Sequence, residues 1–139
     1  MKPNEVMIGD WVKFTDPDTN ETELHRISQE DFSGNDKFWN CFSRIEIAPE
    51  ILEANGFYKV SKDESENIVK PDVWIYEKED NVIVIGLKGG DFSSFEIYND
   101  RRYAAFTDRL YVSELQHAMR MMGMHELADN FVIEKGGKQ

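Results

Sequence analysis

The chain has a single cysteine and no long apolar run. Cys41 alone cannot form an intramolecular disulfide or supply a thiolate zinc cluster. A membrane-spanning helix needs about 18 apolar residues in a row, and no apolar run of this sequence comes near that length. The first residues, MKPNEVMIGDW, also contain no apolar stretch typical of a signal peptide. We therefore expect a cytoplasmic protein that does not associate with membranes.

Basic residues are also few, because 16 Lys and Arg stand against 27 Asp and Glu, which gives a net charge of −11. Nucleic-acid binding depends mainly on Lys and Arg side chains that neutralise phosphate, so a field of this sign opposes it. The same field opposes binding to anionic membrane surfaces. The charge fits a protein kept in solution by repulsion, a protein with a basic partner, or one that mimics DNA.

Apolar side chains, in contrast, are plentiful: they make up 40% of the 139 residues, and aromatic residues make up 12%. This composition favours a folded chain over intrinsic disorder, and the length is that of one domain. We predict a single domain, residues 1–139, with an N-terminal β part at about 1–60 and a meander plus C-terminal helix at about 70–134. The polar stretch SKDESENIVKPD lies between the two parts.

The N-terminal part predicts three strands and a helix. VMIGDWVKF and ELHRISQ flank the turn TDPDTNET as in a β-hairpin, and KFWNCFSRIEI predicts a third strand. Three such strands after a GDWV element indicate an SH3-like barrel or a bent sheet. APEILEANGF predicts a helix at residues 48–57, with Pro49 at its first position and Gly56 just past its end.

The C-terminal part contains the clearest β pattern, VWIYEKEDNVIVIGLKGGDFSSFEIYN. It predicts a three-stranded meander at about 73–78, 82–88 and 92–98, joined by the turns EDN and GGD. The middle strand is apolar on both faces, so we expect it to be central and covered by a helix on one side and by sheet or a partner on the other. With a late helix, the whole chain is predicted to be α+β: mostly antiparallel sheet, an N-terminal SH3-like or hairpin part, a three-stranded meander and two helices.

The late helix, within YVSELQHAMRMMGMHEL, carries the one pattern that suggests metal chemistry. Glu114 and His117 lie roughly 60° apart on the helical wheel and away from its apolar stripe, so we expect them to face solvent or a groove. A zinc protease motif would need histidine where Ser113 stands. SELQ instead suits a capping box in which Ser113 is the N-cap and Gln116 reaches back, and Gly123 suits the position just past the helix end. Glu114 and His117 are therefore only weak metal candidates, and we predict a structural helix with no metal and no cofactor.

The only basic island is YNDRRYAAFTDRLY, where Arg101, Arg102 and Arg109 stand beside Tyr103 and Tyr111. Arginine and tyrosine are enriched at recognition hot spots. They could hold an acidic peptide or stack a base. The alternative is a loop whose arginines pair with surplus surface carboxylates. We place the candidate interface at these five residues.

Three segments, the initial IGDWV, the PEILEANGF helix and the late YVSELQ helix, resemble a family of small proteins from gut Bacteroidetes and their mobile elements. That family often has histidine before the glutamate of the late helix, and Ser113 departs from this pattern. The departure implies that no zinc chemistry depends on this position. The resemblance brings no known activity, so it assigns no catalytic residue.

The function predicted from these observations is a non-catalytic protein-interaction module, an accessory of a mobile element, that binds through the Arg/Tyr segment or through a sheet edge. One alternative is an acidic DNA-mimic inhibitor, whose carboxylates would group on one face. Another is a small metal-dependent hydrolase, in which Glu114, His117 and a third ligand would converge. The numerous aromatic residues and the edge strands of the meander also favour a homo-oligomer.

Overall fold

The computed structural model describes residues 1–60, 72–88, 91–106 and 110–133. The fold is α+β, as predicted, with two antiparallel sheets and short helices. The described residues divide into two compact units. The first unit contains residues 1–46 and 111–131, and the second contains the described residues from 47 to 110 together with 132–133. The late helix thus belongs with the N-terminal strands, whereas the sequence had suggested a grouping with the meander.

The first unit contains a small open sheet of three strands in the order β2–β1–β3. Its strands are β1 (Trp11–Thr15), β2 (Thr22–Arg26) and β3 (Phe42–Ser43). The predicted hairpin of β1 and β2 is confirmed. The turn between these strands is closed by the side chain of Asp16, whose Oδ1 accepts a hydrogen bond from the backbone N–H of Asp18 at 2.8 Å.

The predicted third strand, KFWNCFSRIEI, is wrong over most of its length. Its beginning forms the short helix α1 (Asp36–Trp39), and only the two residues of β3 pair with β1. The side chain of Asn35 caps α1 by accepting from the N–H of Phe38 at 3.1 Å. Trp39 and Phe42, three positions apart, still reach the core, the first from the helix α1 and the second from the short strand β3.

The late helix α3 (Val112–Met121) begins one residue before Ser113, which therefore lies inside it and is buried. Gly123 has φ +84° just past the helix end, as predicted. The sequence HELADNFVI predicts a short helical turn and then a terminal strand; the turn is the short helix α4 (His125–Asp129), but the strand is wrong. Residues 131–133 lie in no strand, and the side chain of Asn55 holds the backbone of Val132 by two hydrogen bonds.

The second unit is built on a five-stranded antiparallel meander in which every strand pairs with the next in sequence. The strands are β4 (Tyr58–Val60), β5 (Asp72–Lys78), β6 (Asn81–Lys88), β7 (Asp91–Tyr98) and β8 (Tyr103–Phe106). The three predicted strands are confirmed to within one residue. Two edge strands, β4 and β8, were not predicted. The helix α2 (Pro49–Ala54) precedes the sheet and ends before Gly56, which has φ +90° as expected of a residue past a helix end.

The pairing divides this sheet into two faces, because neighbouring residues of a strand point to opposite sides. The buried face carries Trp74, Ile83, Ile85, Phe95 and Ile97. The opposite side, which we call the outer face, carries Val82, Val84 and Gly86 of β6, and these are only half-buried. The strand β6 is therefore central, as predicted, and the coverage of its outer face by a partner stays a prediction. In the described part of the chain, no helix is long and apolar enough to cross a membrane.

Candidate functional site

An open groove lies at the end of the second unit where β7 turns into β8. Its volume is about 560 Å³. The residues that line it are Glu96, Tyr98, Asn99, Arg101, Arg102 and Tyr103. Three of the five predicted interface residues, Arg101, Arg102 and Tyr103, are therefore brought together in one site.

Asn99 fixes the turn that presents the two arginines. Its backbone N–H donates to the carbonyl of Arg102 at 3.0 Å, and its side-chain Oδ1 accepts from the backbone N–H groups of Arg101 and Arg102, each at 2.9 Å. Its Nδ2 donates to Oδ1 of Asn81, 3.3 Å away in the neighbouring hairpin. Both arginines are exposed. Asn99 thus holds the backbone of the arginine pair by hydrogen bonds, and both arginines lie at the surface.

Tyr103 supplies an aromatic surface beside the arginines. It is 64% exposed, and its ring lies 6.3 Å from that of Tyr98 with an angle of 32° between the ring planes. Partial desolvation, followed by the charge of Glu96 and the hydrogen bond that its carboxylate accepts from the phenol, raises the pKa of Tyr103 above its ordinary value of 10.0. The hydroxyl therefore stays protonated at neutral pH, and the ring is a neutral platform.

Of the two remaining predicted interface residues, Tyr111 does not line this groove. Tyr111 belongs to the first unit, where the guanidinium of Arg44 lies 5.4 Å from its ring centre and its backbone pairs with Glu46. Arg109 lies outside the described residues. The sequence reasoning also missed Asn99 and Glu96 as groove residues. The signal for Asn99 was its place in the YND turn, since asparagine side chains bond turn backbones two and three residues on.

The weak metal candidates do not converge. Oε1 of Glu114 lies 3.9 Å from Nε of Arg44, whereas Nε2 of His117 lies 2.5 Å from Oδ2 of Asp10. In the part of the chain that the structure describes, no three His, Cys, Asp or Glu side chains are grouped as metal ligands. The prediction that both side chains face solvent or a groove is confirmed for Glu114, which is 41% exposed, and only in part for His117, which is 27% exposed and contacts a buried carboxylate.

That carboxylate, Asp10, is the centre of a charged cluster in the first unit. It is 0% exposed, and Nη1 of Arg120 lies 2.6 Å from its Oδ1. Its Oδ2 also accepts from the backbone N–H of Met7 at 2.8 Å. His117 and Arg120 are three residues apart on α3 and so lie on one face of that helix. The cluster joins the loop before β1 to α3, and its sequence signal was the charge at Asp10 inside an apolar run.

The predicted capping box at Ser113 is also wrong, because Gln116 has other partners. This side chain is fully buried. Its Oε1 accepts from the backbone N–H of Trp11 at 2.9 Å, and its Nε2 donates to the carbonyls of Gly9 and Ala128, each at 3.0 Å. Gln116 therefore joins β1, α3 and α4 through buried hydrogen bonds.

A second acid–imidazole pair ties the β1–β2 hairpin to the loop after it. Oδ2 of Asp31 lies 2.9 Å from Nε2 of His25 and accepts from the backbone N–H of Ser28 at 2.8 Å. Burial alone would raise the pKa of Asp31, but the Ser28 N–H and the His25 side chain together hold it below its ordinary value of 3.8. This pair joins β2 to the segment after the hairpin and so stabilises the fold.

Comparison of the chain with protein-family models, with curated proteins and with solved structures gives no match. The resemblance to the Bacteroidetes family therefore stays a prediction, and no activity comes from similarity. The groove must be interpreted from its own chemistry. Two guanidinium groups and an exposed phenol ring are suited to holding carboxylate or phosphate groups and to stacking.

Proposed function

We propose that this protein is a non-catalytic interaction module that holds an acidic segment of a partner protein in the groove at the β7–β8 turn. One observation carries the proposal: Arg101, Arg102 and Tyr103 line one groove, on a turn whose backbone Asn99 fixes. A preformed site loses less conformational entropy on binding than a flexible loop would.

Guanidinium groups bind carboxylates through paired, charge-assisted hydrogen bonds, and an exposed tyrosine adds apolar contact area. The net charge of −11 opposes an acidic partner at long range. At physiological ionic strength, however, exposed charges are screened beyond about 8 Å. The arginines in direct contact then determine the affinity, and the overall charge mainly slows the encounter.

The proposal can be tested with a fluorescein-labelled peptide, TVTVTEE, and with TVTVTKK as its basic counterpart. We expect the acidic peptide to bind the wild-type chain, and we expect the double variant Arg101→Glu/Arg102→Glu to lose at least about tenfold in affinity, as measured by fluorescence anisotropy. A matched control is Lys2→Glu/Lys37→Glu, which makes the same change in charge at two exposed lysines of the first unit. Equal losses in both double variants would contradict a specific site and indicate only general repulsion.

The net charge of −11 also supports a second candidate, an acidic protein that occupies a DNA-binding protein by mimicking DNA. This candidate predicts capture of a basic DNA-binding protein that is lost at high salt and is insensitive to Arg101→Glu/Arg102→Glu. The metal-dependent hydrolase has no comparable support, because Glu114 and His117 contact the different partners Arg44 and Asp10.

A further inference from the structure

We propose that the acidic partner segment binds as an additional strand on the edge strand β8, with its acidic end at Arg101 and Arg102. This inference rests on the proposed function and specifies how the groove is used. The sequence left two alternatives, binding through the Arg/Tyr segment or through a sheet edge. In the structure these two alternatives coincide, because the Arg/Tyr segment leads directly into β8, which is an edge strand of the five-stranded sheet.

The hydrogen-bond pattern shows which backbone groups of β8 are available. The N–H of Asn99 donates to the carbonyl of Arg102, so these two residues form a hydrogen-bonded pair. Such pairs alternate along an antiparallel ladder, and β7 and β8 pair without a register shift. The N–H and C=O groups of Tyr103 and Ala105 therefore point away from β7, toward the side on which no described strand pairs with β8.

The strand β8 itself contains none of the residues by which proteins usually protect an edge strand. Its sequence, YAAF, contains neither a charged residue nor proline, and Tyr103 and Ala105 are both exposed. The opposite edge, β4, has Lys59 in its centre, and Nζ of Lys59 lies 3.6 Å from Oδ2 of Asp72. Of the two edges, β8 is the one suited to accept another strand.

The position of the arginines defines the chemistry of the added segment. Arg101 and Arg102 immediately precede β8, so a strand antiparallel to β8 would end beside them. Carboxylates at the C-terminal end of that strand would lie within reach of the guanidinium groups, while the preceding residues pair with Tyr103 and Ala105. The expected ligand is an extended segment of β-forming residues followed by Asp or Glu.

The variant Ala105→Pro tests this inference because proline removes only the outward N–H of residue 105. Proline is tolerated in edge strands where the N–H faces solvent, so the pairing of β8 with β7 should persist. Ala105→Thr is the matched control, since it adds a side chain and keeps the N–H. With the peptide TVTVTEE we expect Ala105→Pro to lose about fivefold to tenfold in affinity and Ala105→Thr to bind like the wild type.

Two further measurements keep the test decisive. In wild-type ¹H–¹⁵N spectra, the peptide should shift the amide signals of Tyr103 and Ala105 more than that of Ala104. A peptide N-methylated at alternate backbone positions should bind the wild type about as weakly as TVTVTEE binds Ala105→Pro. If circular dichroism shows that the proline variant is unfolded, the N-methylated peptide alone tests strand addition.

The outcomes separate this inference from the proposed function. If Ala105→Pro and the N-methylated peptide leave binding unchanged while Arg101→Glu/Arg102→Glu abolishes it, strand addition is wrong and the groove remains the binding site. If TVTVTEE does not bind the wild-type chain at all, the proposed function fails and strand addition fails with it.

Discussion

Asp10 is a buried negative charge that two side chains of α3 satisfy. The residue is fully buried, and the side chain of Arg120 is only 11% exposed. Charges buried in this way are held by their partners, and removal of one partner leaves the other without compensation. The same arginine also has an exposed acidic neighbour, because Nη2 of Arg120 lies 3.5 Å from Oδ1 of Asp129, whose side chain is 63% exposed.

We predict that Asp10→Asn lowers the free energy of unfolding by about 3 to 5 kcal/mol, because Arg120 loses its buried counter-charge. The matched control Asp129→Asn should cost less than about 1 kcal/mol, because solvent screens the exposed pair. Urea unfolding of both variants at neutral pH measures the difference. Similar losses in the two variants would mean that burial does not determine the strength of these contacts.

Asp31 gives a pH-dependent prediction. Its pKa in the folded chain is lowered by the Ser28 N–H and by His25 against the opposing effect of burial, whereas the unfolded chain titrates near the ordinary value of 3.8. The stabilisation is therefore complete above pH 3.8 and is lost as the pH falls through the lower folded pKa. Asp31→Asn should be less stable than the wild type at pH 7, and the difference should narrow below pH 3.8. Urea midpoints measured from pH 7 to pH 3 check this, and a constant difference would contradict it.

Single residues could be predicted from the sequence only where their partners are local. The positive φ of Gly56 and of Gly123 was predicted correctly, because a helix end and the next residue determine it. The partners of His117 and Gln116 were not, because Asp10, Gly9 and Trp11 lie more than a hundred positions away in the chain. A helical wheel shows which face a residue occupies but not what that face meets.

At the scale of elements, α3 is positioned by a buried amide. Gln116 makes three hydrogen bonds, to the N–H of Trp11 and to the carbonyls of Gly9 and Ala128. A side chain of similar size without polar atoms would leave those three backbone groups unsatisfied in the protein interior. The helix α3 therefore depends on Gln116 for its contacts with β1 and α4.

We predict that Gln116→Leu lowers the free energy of unfolding by about 2 to 4 kcal/mol, although it increases the apolar content of the core. Glu114→Gln, at a partly exposed position of the same helix, should change it by less than about 0.5 kcal/mol. Chemical unfolding followed by circular dichroism measures both. Stabilisation by Gln116→Leu would show that the buried hydrogen bonds contribute little.

Elements differed in how far their sequences determined them. The three long strands of the meander were predicted to within one residue, because each is a continuous stretch of β-forming residues and short turn sequences separate them. The edge strand β8 was taken for a loop, since four residues carry too little pattern. The third N-terminal strand was predicted wrongly, because the cap that Asn35 provides converts the start of that apolar run into α1.

At the scale of the whole molecule, an acidic chain presents a small basic and aromatic site. The net charge of −11 and the cluster of Arg101, Arg102 and Tyr103 in one groove were both suggested by the sequence, but the groove itself depends on the pairing of β7 with β8. Tyr111 could not be separated from that cluster by sequence alone, because assignment to a unit requires the long-range contacts of the fold.

The most direct test of the central claim is site-specific photo-crosslinking in cells that naturally carry the protein. A photoreactive amino acid would replace Tyr103, and separately Tyr58, which is also exposed on the outer face and whose phenol also donates to a glutamate. The account predicts one crosslinked partner protein from position 103, lost with Arg101→Glu/Arg102→Glu and absent from position 58. The same products from both positions, or a crosslink that survives the loss of both arginines, would contradict a binding site in this groove.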